Sequence, residues 1–204
     1  MCNQLGCELK GDPREPLQTS FLHPVTGEKV FVVMDACHML KLAHNMLQAY
    51  SPIATATTGQ INWRYINHLN DVQKKDGLHA ANKITDKHVY FENHKMRVSL
   101  AAQTLSRSVS VALRTMRDLG YSQFKDCEAT AEFIEIVDRL FNTMNGRNPR
   151  AKGFKAPLGA LNWMERKAFL SRAREYLFTL LTKDGTPVYQ SKRSIKIVLV
   201  KFMT

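Results

Sequence analysis

The sequence predicts a mainly α-helical protein with one short buried strand near its start. Three observations lead there. Apolar residues recur at the 3.6-residue period in five segments between residues 36 and 181. One continuous apolar run, Val30 to Met34, is too short for a helix and rich in β-branched residues, which suits a strand covered on both faces. The rest of the chain offers few runs able to pair with it, so the strand reads as part of a larger sheet.

Residues 1–28 carry six Gly and Pro residues and read as an irregular lead-in, with a turn at Pro24-Val-Thr-Gly27. From Ala36 the spacing of Met39, Leu40, Ala43, Met46 and Leu47 becomes helical, and that helix stops near Ser51-Pro52. A second helix is expected from Gln60 to Lys75, with Ile61, Tyr65, Ile66 and Leu69 on one face and Asp76-Gly77 as its stop. Residues 78–98 are less periodic and read as loop with a short helix or strand. A long helix is expected over about 99–119, closed by Gly120. Asp126 stands where it would cap the next helix, about 127–145, whose core stripe is Ala131, Phe133, Ile134, Val137, Leu140, Phe141 and Met144. Asn145-Gly146-Arg-Asn-Pro149 ends it, and Arg150 to Pro157 is a basic loop. Asn162-Trp-Met-Glu165 has capping-box spacing and opens a last helix to about Leu181. The tail Ser194 to Thr204 is apolar and strand-like.

The 204 residues suffice for one sizeable domain. With 29 Lys+Arg against 18 Asp+Glu the formal charge is +11, which favours polyanionic partners (nucleic acid, nucleotide or an acidic membrane surface), the plainer alternative being a solvated basic surface that implies no partner. No stretch approaches the ~20 apolar residues that span a bilayer, so no membrane partner is expected. Met1-Cys-Asn-Gln-Leu-Gly-Cys7 lacks the basic start and apolar core of a signal peptide. The four cysteines form no Cys-x-x-Cys pair, as in a reduced intracellular protein with free thiols.

Asp35 and His38 are the first candidate site residues. The acid sits where the expected strand hands over to a helix, and the histidine follows one helical turn later. Asp-x-x-His can supply two metal ligands, but no third or fourth stands at characteristic spacing. The plainer alternative is an N-cap that accepts backbone N–H bonds.

Several phrases, taken in order, resemble the P-element-type DNA transposases, including the THAP-domain transposase relatives. They are Phe21-Leu-His-Pro-Val-Thr-Gly-Glu-Lys29, Asp35-Ala-Cys-His-Met-Leu-Lys-Leu42, Asn82-Lys83 with His88, and Arg97-Val-Ser-Leu-Ala-Ala-Gln-Thr-Leu105. Ala129-Thr-Ala-Glu-Phe-Ile134, Phe141-Asn-Thr-Met-Asn145 and Phe154-Lys-Ala-Pro-Leu158 complete the set. The resemblance implies a helical GTP-binding insertion domain attached to a remnant strand of an RNase H-like α/β domain. Residues 1–45 would be the remnant, 46–190 the insertion domain and 191–204 a divergent or truncated tail. It also implies that the three acids that hold Mg2+ in a complete transposase lie outside this chain, so no autonomous catalysis is expected. Asp35 and His38 match a family element near the catalytic core, not one of those acids. GTP, the DNA of transposon ends, a homo-oligomeric state and a nuclear location are implied in the same way.

The resemblance assigns nucleotide contacts to Lys83, Arg97, Val98, Phe141, Asn142 and Asn145. Their chemistry suits nucleotide binding. Lys83 and Arg97 supply charge for phosphates or a cation over the base, and Phe141 a stacking face. Asn142 and Asn145 lie one turn apart and can meet a purine edge. No Walker A loop is present. Read without the resemblance, Phe141 is a core residue and the basic residues are solvated. At Asn142 the family tends to carry Asp. A carboxylate accepts both guanine N1–H and N2–H, whereas an amide has one acceptor oxygen, which weakens the expectation of guanine selectivity. The remaining alternative is a non-catalytic basic helical domain that binds nucleic acid or protein and no nucleotide.

Overall fold

The computed structural model describes residues 5–7, 18–32, 35–56, 59–77, 83–146 and 148–191. Two short hairpins precede and interrupt a helical body. The first pairs β1 (Ser20–Leu22) with β2 (Lys29–Phe31) in antiparallel register, Phe21 opposite Val30. The turn between them falls on Pro24 to Gly27, with the Gly27 N–H donating to His23 O. The second pairs β3 (Ile53–Ala54) with β4 (Gln60–Ile61). The helices are α1 (Ala36–Tyr50), α2 (Arg64–Asp76), α3 (Asp86–Val89), α4 (Val98–Thr104), α5 (Arg107–Asp118), α6 (Glu128–Met144), α7 (Trp163–Phe178) and α8 (Val188–Ser191). The mainly helical class holds.

The strand expected at 30–34 is corrected. β2 begins at Lys29 and ends at Phe31, and the hairpin is exposed rather than buried on both faces: Phe31 is 66% exposed and Leu22 67%. An apolar run reports burial only when something covers it, and here Val30 is half-buried while Phe31 is exposed. Residues 33–34 and 192–204 lie outside the described residues, so neither the end of that run nor the strand-like tail is described.

α1 matches its expected span, and its Met39, Leu40, Ala43, Met46 and Leu47 are all buried. The second helix starts later than expected, at Arg64, because Gln60 and Ile61 pair with β3 instead. Asn62 then holds the crossing: its N–H donates to Thr130 Oγ1 at 2.9 Å, and its Oδ1 accepts from Ser51 Oγ at 3.1 Å.

The long helix expected over 99–119 is two helices. Leu105 leaves helical geometry (φ −94°, ψ 43°), and Ser106 is extended at the N-cap of α5. Ser106 Oγ donates to Gln103 O at 2.8 Å, a local side-chain bond that competes with helix continuation. Gly120 sits at φ 84° just past α5, the left-handed position that a residue without Cβ takes most readily. Two capping expectations fail. Cys127, not Asp126, occupies the N-cap of α6, without a side-chain cap bond. The Asn162 side chain turns back to Gly159 N and Pro157 O and does not cap α7.

α6 is the centre of the body. It packs on α5 along one side, on α1 and β4 on another, and on α7 further along. Phe133 and Ile134 on α6, Leu113 on α5, Leu40 and Leu47 on α1 and Ile66 on α2 are fully enclosed. α7 contributes Phe169, Ala173 and Leu177. The strand bridges Ala54–Leu181 and Leu181–Pro187 tie the segment after α7 back to the second hairpin.

His44 on α1 is 2% exposed and lies against Trp63 (centroids 5.3 Å) and Phe91 (4.1 Å). Its Nδ1 meets Asn45 Oδ1 at 3.5 Å, and its Nε2 has no partner. Burial lowers its pKa from the ordinary 6.5 to about 4, opposed by the Asn45 side chain and aided by the nearby His88. An unfolded chain takes up this proton near pH 6.5 and the folded chain resists until about pH 4, so folding stability is full above 6.5 and falls as pH drops through that window. The loss amounts to about 3 kcal/mol. Urea titrations at pH 7 and pH 4.5 will therefore show a larger fall in midpoint for the parent chain than for His44→Leu. Equal falls would count against this account.

Candidate functional site

A cleft of about 870 Å³ opens between the α4–α5 junction, the second half of α6 and the loop that carries Phe154. That volume lies within the range of small-molecule and cofactor sites. α4 contributes Ser99, Ala102 and Gln103, and α5 begins at the rim with Ser106, Arg107 and Ser108. α6 supplies Asp138, Arg139, Phe141 and Asn142. Lys152, Phe154 and Lys155 close the far side, and Lys83 stands at the entrance from the segment before α3.

Three of the six expected nucleotide residues come together here: Lys83, Phe141 and Asn142 line the cleft. Phe141 is half-buried, as a ring that both borders the core and faces an opening must be. Lys83 is exposed. The other three do not line the cleft. Arg97 is the exposed N-cap residue of α4, and Val98 is its half-buried first residue, one turn before the lining residue Ala102. Asn145 caps the end of α6, its N–H donating to Phe141 O at 2.9 Å. Asn82 lies outside the described residues.

Sequence reasoning did not assign most of the lining to a nucleotide site. Asp138 is one turn before Asn142, and Asn142 Nδ2 donates to Asp138 Oδ2 at 2.9 Å. Burial pushes the Asp138 carboxyl above its ordinary range, opposed by the Arg107 main chain, the Lys155 charge, the Asn142 amide and the Arg107 charge. Arg107, Lys152 and Lys155 add cations to Lys83, so the cleft is electropositive around a single carboxylate among its lining residues. The i, i+4 spacing of Asp138 and Asn142 was the signal available for the carboxylate.

His88 explains how one wall is held. It is 3% exposed; its Nδ1 accepts from Thr85 N–H at 3.0 Å, and its Nε2 lies 2.7 Å from Gln103 Oε1. Nδ1 therefore acts as acceptor toward Thr85 and Nε2 as donor toward Gln103. The Gln103 side chain is thereby pinned at the cleft.

The opposite wall hangs on Phe154. Its ring lies under the Arg166 guanidinium at 4.0 Å and the Arg139 guanidinium at 5.0 Å, and packs edge-on to Phe169 at 4.9 Å. Arg166 is 2% exposed; its Nη2 donates to Gly153 O, while its Nε and Nη1 have no hydrogen-bond partner. Gly146 allows the loop to approach the end of α6, since a Cβ there would stand 3.1 Å from Lys155 O.

Asp35 and His38 lie elsewhere, away from the cleft, and both are exposed at the start of α1. Asp35 Oδ1 accepts the Cys37 N–H at 2.9 Å, so it caps α1, the plainer of its two readings. Among the described residues no group of three or more His, Cys, Asp and Glu side chains is placed to hold a metal ion. Nor is any described helix long and apolar enough to cross a membrane.

A helical body that encloses an electropositive, aromatic cleft of nucleotide size is the class of protein defined by this fold and site. Residues 37–157, more than half of the chain, match the family described as TNP-like, GTP-binding insertion domain, and the chain belongs to that family. It is 26% identical over 196 residues to the DNA transposase THAP9 of Homo sapiens, a match that covers 96% of this chain and 21% of that protein. It is 26% identical over 133 residues to the Transposable element P transposase of Drosophila melanogaster, covering 64% of this chain and 17% of that protein. The chain thus spans about a fifth of the length of these relatives. Its fold is similar to that in the Drosophila P element transposase strand transfer complex, with a TM-score of 0.73 over 98% of this chain and 43% of that one, at 23% identity. The chain is a relative of the P-element-type transposases, as its motifs implied.

The Phe154 wall has a measurable consequence. Arg166 is buried with two donors unpaired, so replacing it with an apolar side chain of similar length removes a desolvation cost. Arg166→Met will leave the urea midpoint unchanged or raise it, whereas Phe154→Ala will lower stability by about 3 kcal/mol and speed amide exchange in residues 150–156. A large loss of stability in Arg166→Met would show that the guanidinium is paired in solution.

Proposed function

We propose that this chain binds GTP in the α4–α5/α6 cleft as the insertion domain of a P-element-like transposase, and that in a full-length protein it helps to position DNA for transposition. The convergence of Lys83, Phe141 and Asn142 on one electropositive cleft carries this reading. The volume suits a nucleoside triphosphate, the Phe141 face suits a base, and the lysines and Arg107 suit phosphates. Arg97, Val98 and Asn145 belong to the same proposed site at its edges, where a bound nucleotide would reach the start of α4 and the end of α6.

Residues 1–45 are proposed as a remnant of the RNase H-like domain, 46–190 as the insertion domain and 191–204 as a divergent tail. The exposed apolar side chains of the β1–β2 hairpin suit a piece of a larger sheet. The described residues do not fit a divalent metal centre, and no step is assigned to Mg2+ here; strand transfer would belong to a complete transposase. A nuclear location, transposon-end DNA and homo-oligomerisation are part of the same proposal.

A second reading has its own support. The formal charge of +11 and the exposed cations Arg150, Lys152 and Lys155 suit a nucleic-acid phosphate backbone with no nucleotide in the cleft. Titration of the purified chain with GTP and ATP separates the two. Saturable GTP binding is expected to weaken on Phe141→Ala by roughly 5- to 100-fold, the worth of one stacked base, and to weaken on Lys83→Ala. Absence of saturable binding, together with a salt-sensitive DNA shift, would favour the second reading.

A further inference from the structure

Asn142 offers the cleft a single acceptor oxygen, and Asp138, one turn earlier on the same helix, adds a carboxylate beside it. We propose that Asp138 and Asn142 act as a pair that reads guanine, the Asp138 carboxylate accepting its N1–H and one 2-amino hydrogen and the Asn142 Oδ1 accepting the other 2-amino hydrogen. This rests on the GTP reading of the cleft and names the group that selects the base.

Both residues line the cleft, flanking Phe141 in sequence on the same helix. Ionised Asp138 has no proton to give, so the group facing its Oδ2 at 2.9 Å must be the Asn142 NH2. That contact orients the amide and leaves Asn142 Oδ1 as the acceptor of the pair. A carboxylate offers about four lone-pair sites. The Asn142 amide and the Arg107 main chain engage Asp138 without filling them. Phosphate would be repelled by this group, which stands beside Phe141, the proposed stacking ring. A guanine edge brings two adjacent N–H donors. An adenine edge brings one amine and a ring nitrogen whose lone pair would face the carboxylate.

Asp138 also meets the first amide of α5, and a purely structural role would end there. Base preference distinguishes the two roles, because a structural defect weakens all nucleotides alike. The experiment is competition of GTP, XTP, ITP and ATP against a fluorescent GTP analogue on the purified chain. The parent is expected to prefer GTP over ITP, which lacks the 2-amino group, and over XTP, which carries an oxygen there. Asp138→Asn places a donor where the acceptor stood, so GTP weakens about ten-fold or more and XTP becomes the better ligand. The double variant Asp138→Asn/Asn142→Asp moves the carboxylate to position 142 and restores the preference for GTP. A parent that binds no nucleotide overturns the GTP reading and this inference with it. A parent that binds GTP, with a preference over XTP that survives Asp138→Asn, overturns this inference alone. Should Asp138→Asn fail to fold by circular dichroism, Asn142→Leu reads the same pair: its GTP-to-ITP ratio falls towards one if the pair reads the base, and an unchanged ratio overturns the proposal.

Discussion

The seating of α5 against α6 is the contact on which the cleft depends. Small side chains at the junction let the two helices lie close, and Ser110 Oγ, fully buried, donates to Ala131 O at 2.8 Å. Arg114 spans the rest of the seam, its Nη2 at 2.9 Å from Glu128 and its Nη1 at 2.8 Å from Glu135. These ion pairs are part-exposed, and each contributes little alone; the enclosed Leu113 and Ile134 supply most of the stabilisation. The seam also sets geometry, because it brings the first residue of α5 beside Asp138, halfway along α6.

The break at Leu105 and Ser106 matters for the same reason. A continuous helix from 98 to 118 would carry Ser106, Arg107 and Ser108 past α6 as ordinary helical positions. The Ser106 hydroxyl, engaged with Gln103 O, ends α4 and lets α5 start at the cleft rim. His88 acts on the other side of this junction by fixing Gln103. His88, which lines no part of the cleft itself, therefore shapes it through an imidazole engaged at both ring nitrogens.

Charge in the cleft is arranged unevenly. Lys83, Arg107, Lys152 and Lys155 contribute positive potential, and Arg139 turns part of its charge to Glu135 and the Phe154 ring. Asp138 stands within this field yet partly desolvated, and the Arg107 main chain and Lys155 counter that burial. The lining thus combines cations that suit anionic groups with one carboxylate that suits hydrogen-bond donors.

The sequence by itself determined the helical class, the spans of α1 and α6, the left-handed stop at Gly120 and the family, because period and motif order are properties of the chain alone. It also singled out Lys83, Phe141 and Asn142, though through resemblance and not through periodicity, which put Phe141 in the core. Tertiary structure decided what neighbours decide. It left Phe31 exposed, drew Gln60 and Ile61 into a hairpin, split the helix at Ser106 and reduced Asp35 to a cap. It also brought Asp138, Arg107, Lys152 and Lys155 to one cleft from separate stretches of chain. Burial and convergence depend on which surfaces meet, and no local spacing records that.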